Sequence, residues 1–301
     1  MELAPIAFFA YNRPHHTLRA LNNLSRCDLS AESNLHIFCD GSKTAKDWEH
    51  VRRVQDLVRS EKWCGSVNVV IREENIGLAN SIISGVSSLI ENYGRVIVLE
   101  DDLLVSPFFL RYMNDSLALY EKNEQVMQIS GYMFDVDLGS DTDAIFLPFT
   151  SSWGWATWKR AWKKFDPHMR AYNLLKSNKQ LRDRFNLYGA YDYFRMLKMQ
   201  KAGRIDSWAV RWYLSVFMDG GLILYPRKTL VKNIGWDASG VHCGNALGED
   251  KVDEGFKVFA FPADIVVSHV YEKLRLYLKG RAGKILKIKN IYDVLTRGSV
   301  R

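Results

Sequence analysis

The stretch RVIVLEDDLLVS, residues 95–106, decides how the rest of the chain is interpreted. Its apolar run, residues 96–99, is mostly β-branched and predicts a strand buried on both faces of a parallel or mixed sheet. The run ends at three consecutive acids, Glu100, Asp101 and Asp102. Because open α/β sheets bind ligands at the carboxyl ends of their strands, the sequence predicts a functional site at these acids.

The acids allow two interpretations. Carboxylates at the end of a buried strand repel one another and lose hydration, so they need a compensating group. A hard divalent cation such as Mn2+ or Mg2+ is the usual partner of clustered carboxylate oxygens. The alternative is a helix N-terminus, where acids are favourable. We favour the metal site, because Ser106 and Pro107 start the next helix only after a further short loop.

Strands and helices alternate on both sides of this stretch. Apolar runs at residues 3–10, 34–39 and 67–71 predict strands. Helically spaced apolar residues follow the first strand, and a polar, charged helix over residues 46–61 follows the second. This βαβαβαβ order is typical of a doubly wound sheet with right-handed crossovers. A helix is expected over residues 107–120, and later strands are expected at residues 126–130, 145–149, 221–225 and 265–270, the last with His269 as a core histidine.

Composition favours one large globular domain, residues 1–278, with an appendage, residues 279–301. The net charge is +7, of which residues 279–301 carry +6, so the body is almost neutral and nucleic acid is not an expected partner. The four cysteines show no CxxC pair, which favours reduced thiols in a cytosolic protein. We expect no signal peptide and no membrane span.

The basic tail has an apolar side. Ile285, Ile288, Tyr292 and Leu295 fall on one helical face, and lysines lie on the other. A basic amphipathic helix can lie on an anionic membrane surface. The same face could instead dock on the body of the protein, and the sequence leaves both interpretations open.

Two polar residues follow the first two predicted strands. Arg13 lies in the loop after the first strand, where it could meet a phosphate or a base, or simply be solvated. Asp40 ends the second strand and is followed by Gly41. It could contact a nucleoside, although Asp-Gly is also a common turn.

Tryptophans and late polar residues add further candidates. The segment SSWGWATW, residues 151–158, contains Trp153 and Trp155, which could pack in the core or form a platform for a sugar ring. Asp206 is a lone acid among aromatic residues, with a helix N-cap as the alternative role. A Gly-rich loop, residues 233–244, carries His242 and could close over a substrate or merely connect two elements.

Six stretches of this chain resemble a known family. In chain order they are AYNRPHHTLRALNNL, IFCDG, VIVLEDDLLVSPFFL, SSWGWATW, RIDSW and PRKTLVKNIGWDASGVHCG, and they are spread across most of residues 1–245. They resemble GT-A glycosyltransferases and are most similar to the N-acetylglucosaminyltransferase I family and its bacterial relatives. The implied fold is a Rossmann-like, mostly parallel mixed sheet flanked by helices, with a basic helical tail.

The resemblance implies a role for each matching residue. Residues 1–125 would bind a nucleotide sugar, usually UDP-linked, and residues 126–278 would form the acceptor side. Asp102 would bind Mn2+ or Mg2+, and Asp206 would be the catalytic base, although this chain has Ile205 where the family has Trp. The expected donor-binding residues are Arg13, Asp40, Asn75, Glu100, Asp101, Trp153, Trp155 and His242.

The implied reaction is inverting transfer from a UDP-sugar, with UDP-GlcNAc as one candidate, to a hydroxyl of a glycan or lipid-linked acceptor. With the basic tail, this suggests a cytoplasmic bacterial enzyme of surface polysaccharide or lipopolysaccharide synthesis, in peripheral contact with the anionic inner membrane face through residues 279–301. A sugar nucleotidyltransferase would need a Gly-rich loop, where this chain has AYNRPHH. A non-catalytic sugar-binding protein would not need acids, metal and base together.

Overall fold

A computed structural model describes residues 2–136, 139, 142–235 and 252–280. The described strands are β1 (Ile6–Ala10), β2 (Asn34–Cys39), β3 (Ser66–Ile71), β4 (Arg95–Glu100), β5 (Leu103–Val105), β6 (Val126–Ser130), β7 (Ala144–Leu147), β8 (Trp155–Trp158), β9 (Leu222–Pro226) and β10 (Val231–Asn233). The described helices are α1 (Pro14–Leu24), α2 (Trp48–Ser60), α3 (Leu78–Tyr93), α4 (Phe109–Leu119), α5 (Lys159–Trp162), α6 (Tyr172–Ser177), α7 (Lys179–Phe185), α8 (Tyr193–Lys201) and α9 (Trp208–Met218), and residues 271–280 are also helical.

Eight of the described strands form one mixed sheet in the order β3-β2-β1-β4-β8-β6-β9-β7. The first four are mutually parallel, β8 is antiparallel to both β4 and β6, β9 is parallel to β6, and β7 is antiparallel to β9. Strands β5 and β10 form a separate antiparallel pair. The predicted α/β fold, a mostly parallel mixed sheet flanked by helices, is confirmed.

The strand that carries the acids is buried on both faces, as its apolar run predicted. Val96 and Val98 belong to one hydrophobic cluster, together with residues of α3 and α9. Ile97 and Leu99 belong to the other cluster, together with residues of α1 and α4. Successive side chains of a strand point to opposite faces, so β4 contributes to both clusters. Its last residue, Glu100, lies at the carboxyl end of the strand.

One predicted strand is wrong. Residues 265–270 are not a strand, and His269 is exposed rather than in the core. Residues 259–268 lie beside the outer strand β7 and make isolated hydrogen bonds to it and to the residue before it. The N–H groups of Phe259 and Ala260 donate to the Asp143 carboxylate, and the Ser268 N–H donates to the carbonyl of Phe146. These contacts do not form a regular ladder, and Val266 and Val267 are exposed, so the apolar run does not mark a buried strand.

Two expectations concern residues that the structure does not describe. His242 and the tail residues 281–301 lie outside the described residues. Across the part of the chain that is described, no helix has the length and apolar character needed to cross a membrane.

Candidate functional site

Three neighbouring parallel strands bring the predicted polar residues to one edge of the sheet. In the register of the sheet, Phe9 pairs with Glu100 and Ala10 pairs with Cys39. The chain segments that follow these positions carry Arg13, Asp40 and the acids, so strand pairing alone collects them. Adjacent strands are about 4.8 Å apart, which places the ends of β2 and β4 about 10 Å from each other on either side of β1.

Arg13 forms ion pairs with two of the three acids. Its Nη2 lies 2.6 Å from Oδ1 of Asp101 and 3.1 Å from Oδ2 of Asp102. The side chains of Arg13 and Asp101 are only 17% and 6% exposed, so water screens their attraction weakly. The repulsion between the acids, which we interpreted as a sign of a metal ion, is therefore offset in this structure by an arginine.

Burial controls the ionisation of the acids. It raises the pKa of Asp101 to about 6, although Arg13 opposes the shift. It raises the pKa of Glu100 to about 8, and the charges of Asp102 and Asp101 add to this. Burial disfavours the charge on Arg13, but its two carboxylate partners outweigh this effect and raise the pKa of Arg13.

These shifts predict a pH dependence of folding. The unfolded-state pKa values of Asp and Glu are about 3.9 and 4.3, below the folded values of Asp101 and Glu100. The folded protein then binds more protons than the unfolded chain, so the contribution of these groups to the free energy of unfolding falls as pH rises from about 4 to about 8. Urea unfolding across this pH range measures the decrease in the free energy of unfolding. Glu100→Gln should make this decrease smaller, whereas Glu121→Gln at the exposed surface should not. A wild-type profile unchanged by Glu100→Gln would contradict it.

The acids do not form a metal cage by themselves. Within the described ranges, no group of three or more His, Cys, Asp and Glu side chains is placed to hold a metal ion. Asp102 is partly exposed, and its Oδ2 accepts a hydrogen bond from Arg13. One carboxylate is enough for Mg2+ or Mn2+ when phosphate oxygens and water complete the coordination. The residues therefore fit a cation that binds together with a diphosphate.

Asp40 and Asn75 join two loops of the site. Asp40 is 5% exposed; its Oδ1 lies 3.1 Å from Nη1 of Arg72, and its Oδ2 accepts the N–H of Gly77 at 3.1 Å. Burial raises the pKa of Asp40, while Arg72 and Gly77 oppose the shift. Asn75 donates to the carbonyl of Gly41 at 3.0 Å. Both expected donor-binding residues thus also hold the loops after β2 and β3 together.

Asp206 lies at the same edge. Its neighbour Ser207 is the N-cap of α9 and accepts the N–H of Val210 at 3.4 Å, so the alternative of Asp206 as the cap is wrong. The Asp206 side chain is 56% exposed. A Cβ added to Gly77 would lie 3.6 Å from its Oδ2. Because Gly77 also contacts Asp40, the expected base and the expected nucleoside contact are neighbours.

The two tryptophans lie in different environments. Trp155 is in β8 with 0% exposure, and its ring stacks on Trp208 with centroids 4.9 Å apart. It offers no face to a ligand, so its expected sugar-binding role is replaced by the alternative, a core residue. Trp153 is partly buried, and its ring meets Tyr132 with centroids 4.5 Å apart.

The chain after β10 packs directly against the acids. The N–H of Ile234 donates to the carbonyl of Asp102 at 2.8 Å, and His16 contacts the carbonyl of Ile234 at 3.3 Å. Gly235 comes next and lies against the side chains of Asp102 and Arg13. The described start of the Gly-rich loop is therefore a wall of the site.

Gly235→Ala is expected to disturb this wall. The new Cβ would lie 3.0 Å from Nη1 of Arg13 and closer still to Oδ2 of Asp102, so the ion pair must shift. Overpacking of this kind costs about 1–3 kcal/mol. Thermal unfolding should show lower stability than for Gly280→Ala, where nothing lies within 4 Å of the added Cβ. Equal behaviour of the two variants would contradict the close approach.

Sequence reasoning missed two arginines. Arg72 holds Asp40, and Arg211 lies 3.0 Å from Oδ1 of Asp206. Arg211 interrupts the otherwise apolar helix sequence WAVRWYLSVFM, and a cation on such a helix indicates a buried partner. Arg72 gives no comparable signal, because its partner depends on the pairing of β2 with β3.

The chain is similar to several solved structures. No protein-family model and no curated protein matches the chain. Similar solved structures include a mannosyltransferase from Pyrobaculum calidifontis in complex with GDP-Man and Mn2+, at 12% identity and a TM-score of 0.40, with 72% of this chain and 68% of that chain covered. S. aureus TarS 1–349 has 11% identity and a TM-score of 0.44, with 76% and 59% covered.

A third similar structure is GalNAc-T7 with UDP, GalNAc and Mn2+. It has 11% identity and a TM-score of 0.46, with 75% of this chain and 43% of that chain covered. The chain thus spans about three fifths of the TarS structure and less than half of GalNAc-T7. These structures do not confirm the narrower resemblance to N-acetylglucosaminyltransferase I.

Proposed function

We propose that this protein is a GT-A type glycosyltransferase that moves a sugar from a nucleotide sugar to an acceptor hydroxyl. The observation that carries the proposal is the convergence of three groups at one sheet edge. They are the Arg13–acid cluster, the buried Asp40, and the exposed Asp206 beside Gly77. Each matches a position that the sequence resemblance assigns to donor or acceptor chemistry.

The donor is proposed to lie across the ends of β1, β2 and β4. Asp40 would face the base, and Arg13 would face the diphosphate while it keeps Asp101 and Asp102 paired. Asn75, Glu100 and Trp153 are proposed as further contacts of the bound donor. His242, which lies outside the described residues, is proposed as another. UDP-sugars, including UDP-GlcNAc, are the proposed donors.

Asp206 is proposed to act as the general base. Its exposed carboxylate takes the proton of the acceptor hydroxyl as that oxygen bonds to the anomeric carbon. The bond from the anomeric carbon to the diphosphate oxygen breaks, and its electron pair leaves with the nucleoside diphosphate. Attack from the opposite face inverts the anomeric centre without a covalent enzyme intermediate.

Asp102 is the residue that would hold Mn2+ or Mg2+. Such a cation, when bound, would neutralise charge on the departing diphosphate. Its remaining ligands are proposed to be phosphate oxygens and water, since the described residues offer no larger ligand group.

The acceptor is proposed to be a glycan or a lipid-linked oligosaccharide. The support is the charge distribution: residues 279–301 carry +6 of the net +7. A segment of this charge is attracted to an anionic membrane surface by about 1 kcal/mol per basic residue. Peripheral contact with the inner face of a bacterial membrane is part of the proposal.

The proposal is tested by donor hydrolysis, which needs no knowledge of the acceptor. The full chain is incubated with Mn2+ and a panel of UDP-sugars, with GDP-mannose as a further donor, and nucleoside diphosphate is measured. We expect slow release from at least one donor, and loss of the release in the Asp102→Ala variant. No release from any donor by the folded wild-type protein would overturn the proposed function.

A further inference from the structure

Arg211 is an unusual residue on the most apolar of the site's helices. The helix α9 buries Trp208, Val210, Trp212 and other residues, and the side chain of Arg211 is only 11% exposed among them. Burial disfavours the charged guanidinium and lowers the pKa of Arg211, an effect that Asp206 only partly offsets. A buried cation is expensive to keep without a partner, so its contacts indicate its use.

Both described contacts of the guanidinium lie immediately before α9. Nε donates to the carbonyl of Ser207 at 3.0 Å, and Nη2 donates to Oδ1 of Asp206 at 3.0 Å. Long side chains on a helix point back toward its N-terminus, which explains how Arg211 reaches residues four and five positions earlier. The guanidinium is planar, so the two bonds together fix its orientation.

The two members of the Arg211–Asp206 ion pair differ in their exposure to solvent. Arg211 is buried, whereas the side chain of Asp206 is 56% exposed. Oδ1 is engaged by the arginine, and Oδ2 faces the turn at Gly77, next to Asp40. One oxygen is held from inside the protein, and the other is presented at the sheet edge.

The backbone around Asp206 does not fix the carboxylate by itself. Asp206 lies between α8 and α9 in a segment without regular structure, and Gly203 in that segment has a left-handed φ of 65°. The Ser207 N–H is anchored by the side chain of Gln200 at 2.6 Å, which fixes the main chain but not the Asp206 rotamer. Arg211 supplies the missing restraint.

We propose that Arg211 is a positioning residue that holds Asp206 through Oδ1, so that Oδ2 meets the attacking hydroxyl. This deepens the proposed function and rests on it. Arg211 does not touch the substrate in this scheme. Its loss should therefore affect turnover through Asp206 and leave donor binding unchanged.

The test measures donor hydrolysis by the full chain, with water as the attacking group. Arg211→Gln is expected to lower kcat about 100-fold, the scale of a misplaced reacting group, with the donor KM unchanged. Arg211→Lys keeps the charge but loses the planar fork, so we expect an intermediate rate. Arg204→Gln is the matched control, since Arg204 is exposed and two positions from Asp206, and it should keep the wild-type rate.

A double variant separates positioning from a merely structural role. Asp206→Asn combined with Arg211→Gln should be no slower than Asp206→Asn alone, because Arg211 has no base left to orient. If Arg211→Gln does not fold, the same comparison is made with Arg211→Lys. The proposal would be overturned by any of three results: a wild-type rate in the folded Arg211 variant, an effect of that variant on the donor KM alone, or a further tenfold loss of rate in the double variant. A wild-type protein that releases no nucleoside diphosphate would instead remove the proposed function itself.

Discussion

Asp206→Asn is expected to lower nucleoside diphosphate release by about 10²- to 10⁴-fold, the usual contribution of a general base. The amide keeps the size of the side chain but has no basic oxygen of comparable strength. It also keeps a carbonyl oxygen that can accept from Arg211, so the local geometry should persist. The affinity for UDP, measured by titration calorimetry, should therefore stay at the wild-type value.

The matched control is Asp219→Asn at the other end of α9. Asp219 pairs with Lys164 at 2.6 Å on the surface and lies away from the predicted site edge. It should retain the wild-type rate. An Asp206→Asn protein with near-normal release would remove the base from the scheme, whatever the donor proves to be.

Arg13→Met is expected to produce the largest loss of stability. Removing one partner of a buried ion pair costs about 3–5 kcal/mol, because the remaining charge is left without compensation. Asp101 and Asp102, with side chains 6% and 16% exposed, would lose their described cation together. The free energy of unfolding from urea titration at neutral pH measures this loss.

An exposed ion pair provides the control. Arg111 and Asp28 pair at 2.9 Å with side chains 49% and 42% exposed, so Arg111→Met should cost only about 0–1 kcal/mol. If Arg13→Met were no more destabilising than Arg111→Met, the acids would not depend on Arg13. The case for a cation as their compensating group would then return.

The position of the acids could be predicted from the sequence, but their partner could not. A β-branched run that ends in acids is a local signal, and burial of Val96–Leu99 together with the edge position of Glu100 follows from it. The ion pair between Arg13 and Asp101 joins residues 88 positions apart. It depends on β1 pairing with β4, which no local pattern specifies. Charge repulsion indicated that compensation was needed, and we assigned it to a divalent cation, whereas the structure supplies Arg13.

The tryptophan segment illustrates a second limit. Trp153 and Trp155 are two residues apart and equally apolar, and nothing in the local sequence separates a core role from a ligand platform. The structure separates them because β8 lies between β4 and β6, where Trp155 reaches the stack with Trp208. For Arg211, the sequence indicates a buried partner, because the residue interrupts an apolar helix. Only the helix geometry identifies that partner as Asp206.

We propose that the edge formed by Arg13, Asp40 and Asp102 binds a nucleotide donor, with its diphosphate between Arg13 and Asp102. A crystal structure of the full chain with UDP and Mn2+ tests it most directly. We expect the uracil beside Asp40, the diphosphate between Arg13 and Asp102, and the cation on a carboxylate oxygen of Asp102. UDP bound elsewhere, or the same edge without ligand in crystals that contain both at saturating concentration, would contradict the account.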